Sequence, residues 1–238
     1  MAISVAHVRG YLRWSLLDYL DAAGRQLRVL TRPKPPASWS RGDLSKPTIV
    51  LMPGVYEHWS FMSSIGDTLN AAGHRVRVVH GLGANIAHIP ETAARVERAL
   101  GRVPTPAAGQ VVVAHSKGGL TGKWMLMRED AEALGLLGLV AIATPFNGSS
   151  LAAYMVDPSL REFDPVGPVI GHLTGGASAN SRIVSVYPAF DPHVPEGSEL
   201  VGAVNECVPV AGHFRVLGAP QTAAAVIAGI AHLAAQAA

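Results

Sequence analysis

From Thr48 onward, short apolar runs alternate with stretches whose apolar residues recur every three or four positions. The runs Thr48–Met52, Arg75–Val79, Gln110–His115, Leu136–Ala143, Arg182–Tyr187 and Glu206–Val210 predict strands. The stretches Phe61–Ala72, Ile89–Leu100, Leu120–Ala133 and Thr222–Ala237 predict helices. Strands separated by helix-length crossovers imply an α/β architecture: a mostly parallel sheet of about six strands with helices on both faces. Residues from Ala2 to about Leu30 also have helical spacing, with Val8, Leu12, Leu16 and Leu20 on one stripe widened by Trp14 and Leu17. The stripe predicts a helix docked on the main body, with a partner or membrane-surface contact as the alternative. Arg32-Pro33-Lys34-Pro35-Pro36 reads as a stiff polar connector. The chain thus divides into an N-terminal helix and connector, 1–45, and an α/β body, 46–238.

Composition narrows the class. Of 238 residues 49% are hydrophobic and 15% charged, which fits a chain burying a large sheet and excludes a mostly disordered one. A net charge of +2, without a dense Lys/Arg block, gives no footing for nucleic acid. Cys207 is the single cysteine, so no intrachain disulfide forms. His7, Arg9, Arg13 and Asp18 break the apolar N-terminus before an export signal develops. His232 and Gln236 interrupt the Ala-rich tail, so no transmembrane segment is expected and the protein is read as cytoplasmic.

The chemistry is concentrated at the strand ends, where ligands bind in such sheets. Val111-Val112-Val113-Ala114-His115 is followed at once by Ser116-Lys117-Gly118-Gly119, an order that reads as strand, sharp turn and helix with Ser116 at the apex. Such a turn lifts a hydroxyl clear of the sheet, and the helix behind it aims free N–H groups at any oxyanion formed there. The first strand ends in Pro53-Gly54-Val55-Tyr56, so the Val55 and Lys117 N–H groups are candidate oxyanion donors. Asp191, between Pro188 and Pro195 after the fifth strand, is placed to fix an imidazole, and His213, after Gly212 and the last strand, to reach Ser116. Thr144-Pro145-Phe146-Asn147-Gly148-Ser149 would wall the pocket beside the nucleophile. The chain order Ser, Asp, His is the one this topology uses. Asp157 and Asp164 are the competing acids.

These residues resemble the α/β-hydrolase family, and within it the small bacterial lipases and esterases. Ala114-His115-Ser116-Lys117-Gly118 is similar to their nucleophile elbow, with Ala where the G-x-S-x-G pattern has Gly. Pro53-Gly54 stands where the family often has His-Gly, and Ala143–Ser149 is similar to its Gly-Thr-Pro-His-x-Gly-Ser/Thr stretch. Asp191-x-x-Val194-Pro195 resembles the acid loop and Gly212-His213 the histidine loop. The resemblance implies ester hydrolysis by Ser116, His213 and Asp191 through an acyl-enzyme, with no cofactor or metal. The substrate would be a small-molecule ester or lipid. Pocket candidates are Tyr56, His115, Phe146, Leu151, Tyr154 and Val194. The family places its cap between the fourth and fifth strands, and here roughly Leu151 to Asn180 leaves room for a small lid or none, so an open site is expected. Lys117 is unusual after the nucleophile, and a salt-bridged or solvated side chain is expected. Acyl transfer, thioester hydrolysis and a non-catalytic ligand-binding relative remain open, as does an oligomer formed through the N-terminal helix.

Overall fold

The computed structural model describes the backbone of residues 5–31 and 34–237, and the side chains of 13–28, 31 and 34–237. In chain order the regular elements begin with α1 (Val5–Thr31), β1 (Thr48–Met52), α2 (Ser63–Ala71), β2 (Val76–Val78) and α3 (Ile89–Leu100). β3 (Gln110–His115), α4 (Lys117–Leu126), α5 (Asp130–Ala133) and β4 (Leu136–Ile142) follow. Then come α6 (Pro158–Arg161), α7 (Pro168–Gly175), β5 (Ile183–Phe190), β6 (Val204–Ala211) and α8 (Pro220–Gln236). The sheet is six-stranded in the order β2-β1-β3-β4-β5-β6, and every pairing is parallel.

Alternation along the central strands sorts the core into two layers. Val50, Met52, Val112, Ala114, Leu139 and Ala141 face α3 and α4. Ile49, Leu51, Val111, Val113, Val140 and Ile142 face α2 and α8. With both faces covered, β1 and β3 are buried at every position, which is why they read as continuous apolar runs. The register Met52↔Ala114 and His115↔Ile142 brings the carboxyl ends of β1, β3 and β4 together, where the loops carrying the chemistry emerge.

Two expectations need correction. The helix expected over Leu120–Ala133 is two pieces: α4 starts immediately after Ser116 and ends at Leu126, and α5 is a single turn. The second correction concerns α1. Leu16 and Leu20, placed by periodicity on the docking stripe, are 62% and 60% exposed. The side chains of Val8 and Leu12, and the connector residues Arg32 and Pro33, lie outside the described residues. Trp14, which widens the stripe, does pack against Arg215 of the body, and polar residues supply the buried bonds beside it. Asp18 and Arg25 are buried, Arg25 donates to the Phe61 carbonyl at 2.9 Å, and Arg28 to Ser63 Oγ at 3.3 Å. Hydrogen bonds to backbone groups of the body thus share in fixing which face docks. Among the described residues no helix is long and apolar enough to cross a membrane.

Candidate active site

Ser116 sits between β3 and α4 with φ +50° and ψ −120°, a backbone region that costs a non-glycine residue about 1–3 kcal/mol. The neighbouring strands hold it there. Its N–H donates to Ile142 O at 2.9 Å, and its carbonyl accepts from Thr144 Oγ1 at 3.1 Å. Gly118 lets α4 start this close to the sheet, since a Cβ there would lie 2.5 Å from Met52 O. Ser116 is 6% exposed and borders the cavity described below, and Lys117, first residue of α4, has no intrahelical acceptor for its N–H. The Lys117 side chain turns away from the site. It donates to Ala87 O at 2.7 Å and stands 3.6 Å from Glu162 Oε2, so it is buried and salt-bridged. Desolvation lowers its pKa despite Glu162.

His213 follows β6 after Gly212, whose φ of +118° makes the turn. Its Nδ1 lies 2.7 Å from Asp191 Oδ2, while Asp191 Oδ1 accepts from the His193 and Val194 N–H groups at 2.8 and 3.1 Å. The acid is thereby held from three directions. Burial works against charge on His213, but Asp191 beside it, helped by Glu57 and Asp18, outweighs this and holds the imidazole above its ordinary pKa. Burial likewise opposes charge on Asp191, and the His213 interaction prevails and keeps its pKa low.

Three residues that sequence reasoning passed over complete the surroundings. Asp18 of α1, fully buried, accepts from the N–H groups of His213, Phe214 and Arg215 at 3.0, 2.8 and 3.0 Å. Its Oδ2 also faces His193 Nε2 at 3.6 Å. The His193 ring lies tilted 5.1 Å from the His213 ring, and burial, reinforced by His213, pushes its pKa down to about 4. Glu57 accepts from Gly54 N–H at 2.7 Å and contacts His115 Nδ1 at 2.7 Å. The Asp18 and His115 pairings leave no periodic trace because the partners are far apart in sequence, and the Glu57–Gly54 bond closes a loop outside any periodic element. Among the described residues no group of three His, Cys, Asp or Glu is arranged to hold a metal ion.

Ser116 and His213 open onto one cavity of about 540 Å³, within the range of small-molecule sites. The loop after β1 contributes Val55 and Tyr56, and the insertion after β4 contributes Leu151, Ala152, Met155, Leu160 and Phe163. Val194 and Phe214 close the far side. Tyr19, Ala22, Ala23 and Gln26 of α1 form a wall that the sequence did not foretell, so the site is more covered than expected. Of the pocket candidates, Val194, Tyr56 and Leu151 therefore line the cavity, and Tyr56 also donates to the Asp157 carboxylate. Three others do not. His115 is fully buried beneath the site, with Nε2 3.0 Å from His213 O. Phe146 is buried in the layer shared with α3 and α4, and Tyr154 is 83% exposed and points away. Asp157 is turned toward Tyr56 and Ser159, and Asp164 toward Val166 N–H, so neither competes for the histidine.

No protein-family model and no curated protein matches this chain in sequence. Solved structures do match it. The mature form of a lipase from Bacillus licheniformis superposes with a TM-score of 0.64 at 14% identity, over 83% of this chain and 96% of that one. Lipase B of Aspergillus fumigatus gives 0.65 at 20% identity, over 84% of this chain and 66% of that one. A metagenomic carboxyl esterase gives 0.61 at 16% identity, over 87% and 80%. At these identities the likeness speaks for architecture, and it agrees with the parallel sheet and the strand-end loops: the chain has the α/β-hydrolase fold.

Proposed function

We propose that the protein is a serine hydrolase of carboxylic esters. The observation that carries this reading is Ser116 in a strained turn, sharing a cavity with a histidine whose Nδ1 is 2.7 Å from a buried carboxylate. Ser116 Oγ attacks the acyl carbonyl while His213 Nε2 takes its proton, then returns it to the departing alkoxide. Asp191 fixes the tautomer and stabilises the imidazolium. The N–H groups of Val55 and Lys117 receive the oxyanion, each worth about 2.7–4 kcal/mol of barrier in comparable sites. Water, activated by the same histidine, then frees the acid. The walls formed by Leu151, Met155, Leu160, Phe163 and Phe214 suit an ester with an apolar acyl group.

The test is hydrolysis of p-nitrophenyl esters of increasing chain length by wild type and Ser116→Ala. Turnover lost in the variant supports the reading, and the optimum reports acyl length. Turnover of thioesters only, or transfer to an added alcohol in place of hydrolysis, replaces it with thioesterase or acyltransferase chemistry.

A further inference from the structure

A second carboxylate–imidazole pair lies directly beneath the first, and the mechanism above does not use it. His115 precedes the nucleophile and is fully buried, and Glu57 is nearly so. Three bonds run through the pair: His115 Nε2 to His213 O at 3.0 Å, His115 Nδ1 to Glu57 Oε1 at 2.7 Å, and Glu57 Oε2 to Gly54 N at 2.7 Å. Their donor and acceptor roles are constrained. A carbonyl only accepts, so the Nε2 facing His213 O carries a hydrogen. An ionised carboxylate also only accepts, and a neutral imidazole has already placed its one hydrogen on Nε2. The 2.7 Å contact at Nδ1 therefore contains a further proton, shared as imidazolium–carboxylate or as imidazole–carboxylic acid. The His213–Asp191 pair needs none, because there Nδ1–H donates and Nε2 is left free for the serine proton.

The pair joins three loops that catalysis must keep in register. Gly54 is adjacent to Val55, the donor proposed from the first loop, His115 is adjacent to Ser116, and the carbonyl it holds belongs to the general base itself. The surrounding groups are His213, with its ring 4.8 Å from His115, Asp191 behind it, and His193 and Asp18 beyond. His115 is fully buried, and Glu57, 2% exposed, borders the cavity.

We propose that Glu57 and His115 are positioning residues: a buried pair retaining one shared proton, which sets the Val55 N–H and the His213 imidazole against Ser116. Given that the ester hydrolase reading holds, Glu57→Leu removes the ties to Gly54 and to Nδ1 together. Misplacing one oxyanion donor lowers kcat by about 100-fold, with KM kept within about threefold. Glu57→Gln restores both bonds, since its amide donates to Nδ1 and its oxygen accepts from Gly54 N–H. It recovers kcat to within about tenfold of wild type.

The experiment compares kcat and KM of these variants on p-nitrophenyl butyrate, with proton NMR of the histidine-labelled protein alongside. In wild type the shared proton gives a downfield, exchange-protected resonance that is missing in Glu57→Leu. Glu57→Leu with lower Tm and undiminished kcat makes the pair merely structural and overturns the proposal. So does Glu57→Gln as inactive as Glu57→Leu, or absence of the resonance from wild type. If Glu57→Leu does not fold, the glutamine variant and the resonance decide. The resonance needs no turnover, so a wild type inactive on every ester refutes the hydrolase reading and leaves the pair independently measurable.

Discussion

Replacing Asp18 by alanine tests whether the N-terminal helix belongs to the site. The carboxylate is fully buried and receives three backbone N–H groups, those of His213, Phe214 and Arg215, at 2.8–3.0 Å. A hydrogen bond to a charged acceptor contributes about 1.5–3 kcal/mol, and alanine leaves all three donors orphaned. The three share one acceptor and do not add fully, so the expected loss is about 3–5 kcal/mol. For a chain of this size that is a Tm drop of about 10 °C. Kinetics should respond as well, because the lost bonds hold the backbone of the proposed general base. Asp18→Asn separates charge from space. Its oxygen still accepts from Phe214 and Arg215, while its amide faces the His213 N–H. Asp18 is one of the anions that raise the pKa of His213, so its neutralisation lowers that pKa and moves the acid limb of kcat/KM to lower pH. Thermal unfolding and a pH profile on p-nitrophenyl butyrate measure both effects. An alanine variant with Tm within about 2 °C of wild type, and an unmoved acid limb in the asparagine variant, would refute the reasoning.

Asp191→Ala should lower kcat by about 10⁴-fold, judged from comparable triads, whereas Asp164→Ala should stay within a few-fold on the same ester. The raised pKa of His213 places the acid limb of wild-type kcat/KM above the ordinary histidine value of 6.5, which a profile from pH 5 to 9 checks. His193, pushed down to about 4 from 6.5, binds fewer protons folded than unfolded between those values. Its contribution to stability is therefore present above pH 6.5 and is lost as pH falls toward 4. The urea midpoint should drop over this window in wild type and drop less in His193→Gln. His213 does not mask the effect, since a raised pKa contributes fully below 6.5 and is lost only at higher pH.

The legible parts of the chain were those where one local signal decides the structure. β1, β3 and α3 have the expected bounds because buried parallel strands must be apolar throughout and α3 begins with a proline in its first turn. Ser116, Asp191 and His213 were legible as a candidate group because the parallel sheet sends each strand's end to one edge. The start of α4 was placed three residues late. Gly118 and Gly119 are poor helix formers in isolation, and only the close approach of Met52 O and Thr144 makes them necessary. The docking face of α1 was misread in part because periodicity assumes that the buried side is the apolar one. Asp18 and Glu57 were missed for a related reason. An acid buried against groups of a distant segment, the 213–215 backbone for Asp18 and the His115 ring for Glu57, looks in sequence like any surface acid.

The central claim is that Ser116 is a nucleophile activated by its surroundings, and covalent trapping reads this most directly. Intact and tryptic mass spectrometry after treatment with a fluorophosphonate should find one adduct, on Ser116, formed together with loss of p-nitrophenyl ester hydrolysis and absent from Ser116→Ala. An unlabelled Ser116 in folded protein, or hydrolysis that survives in Ser116→Ala, would contradict the account.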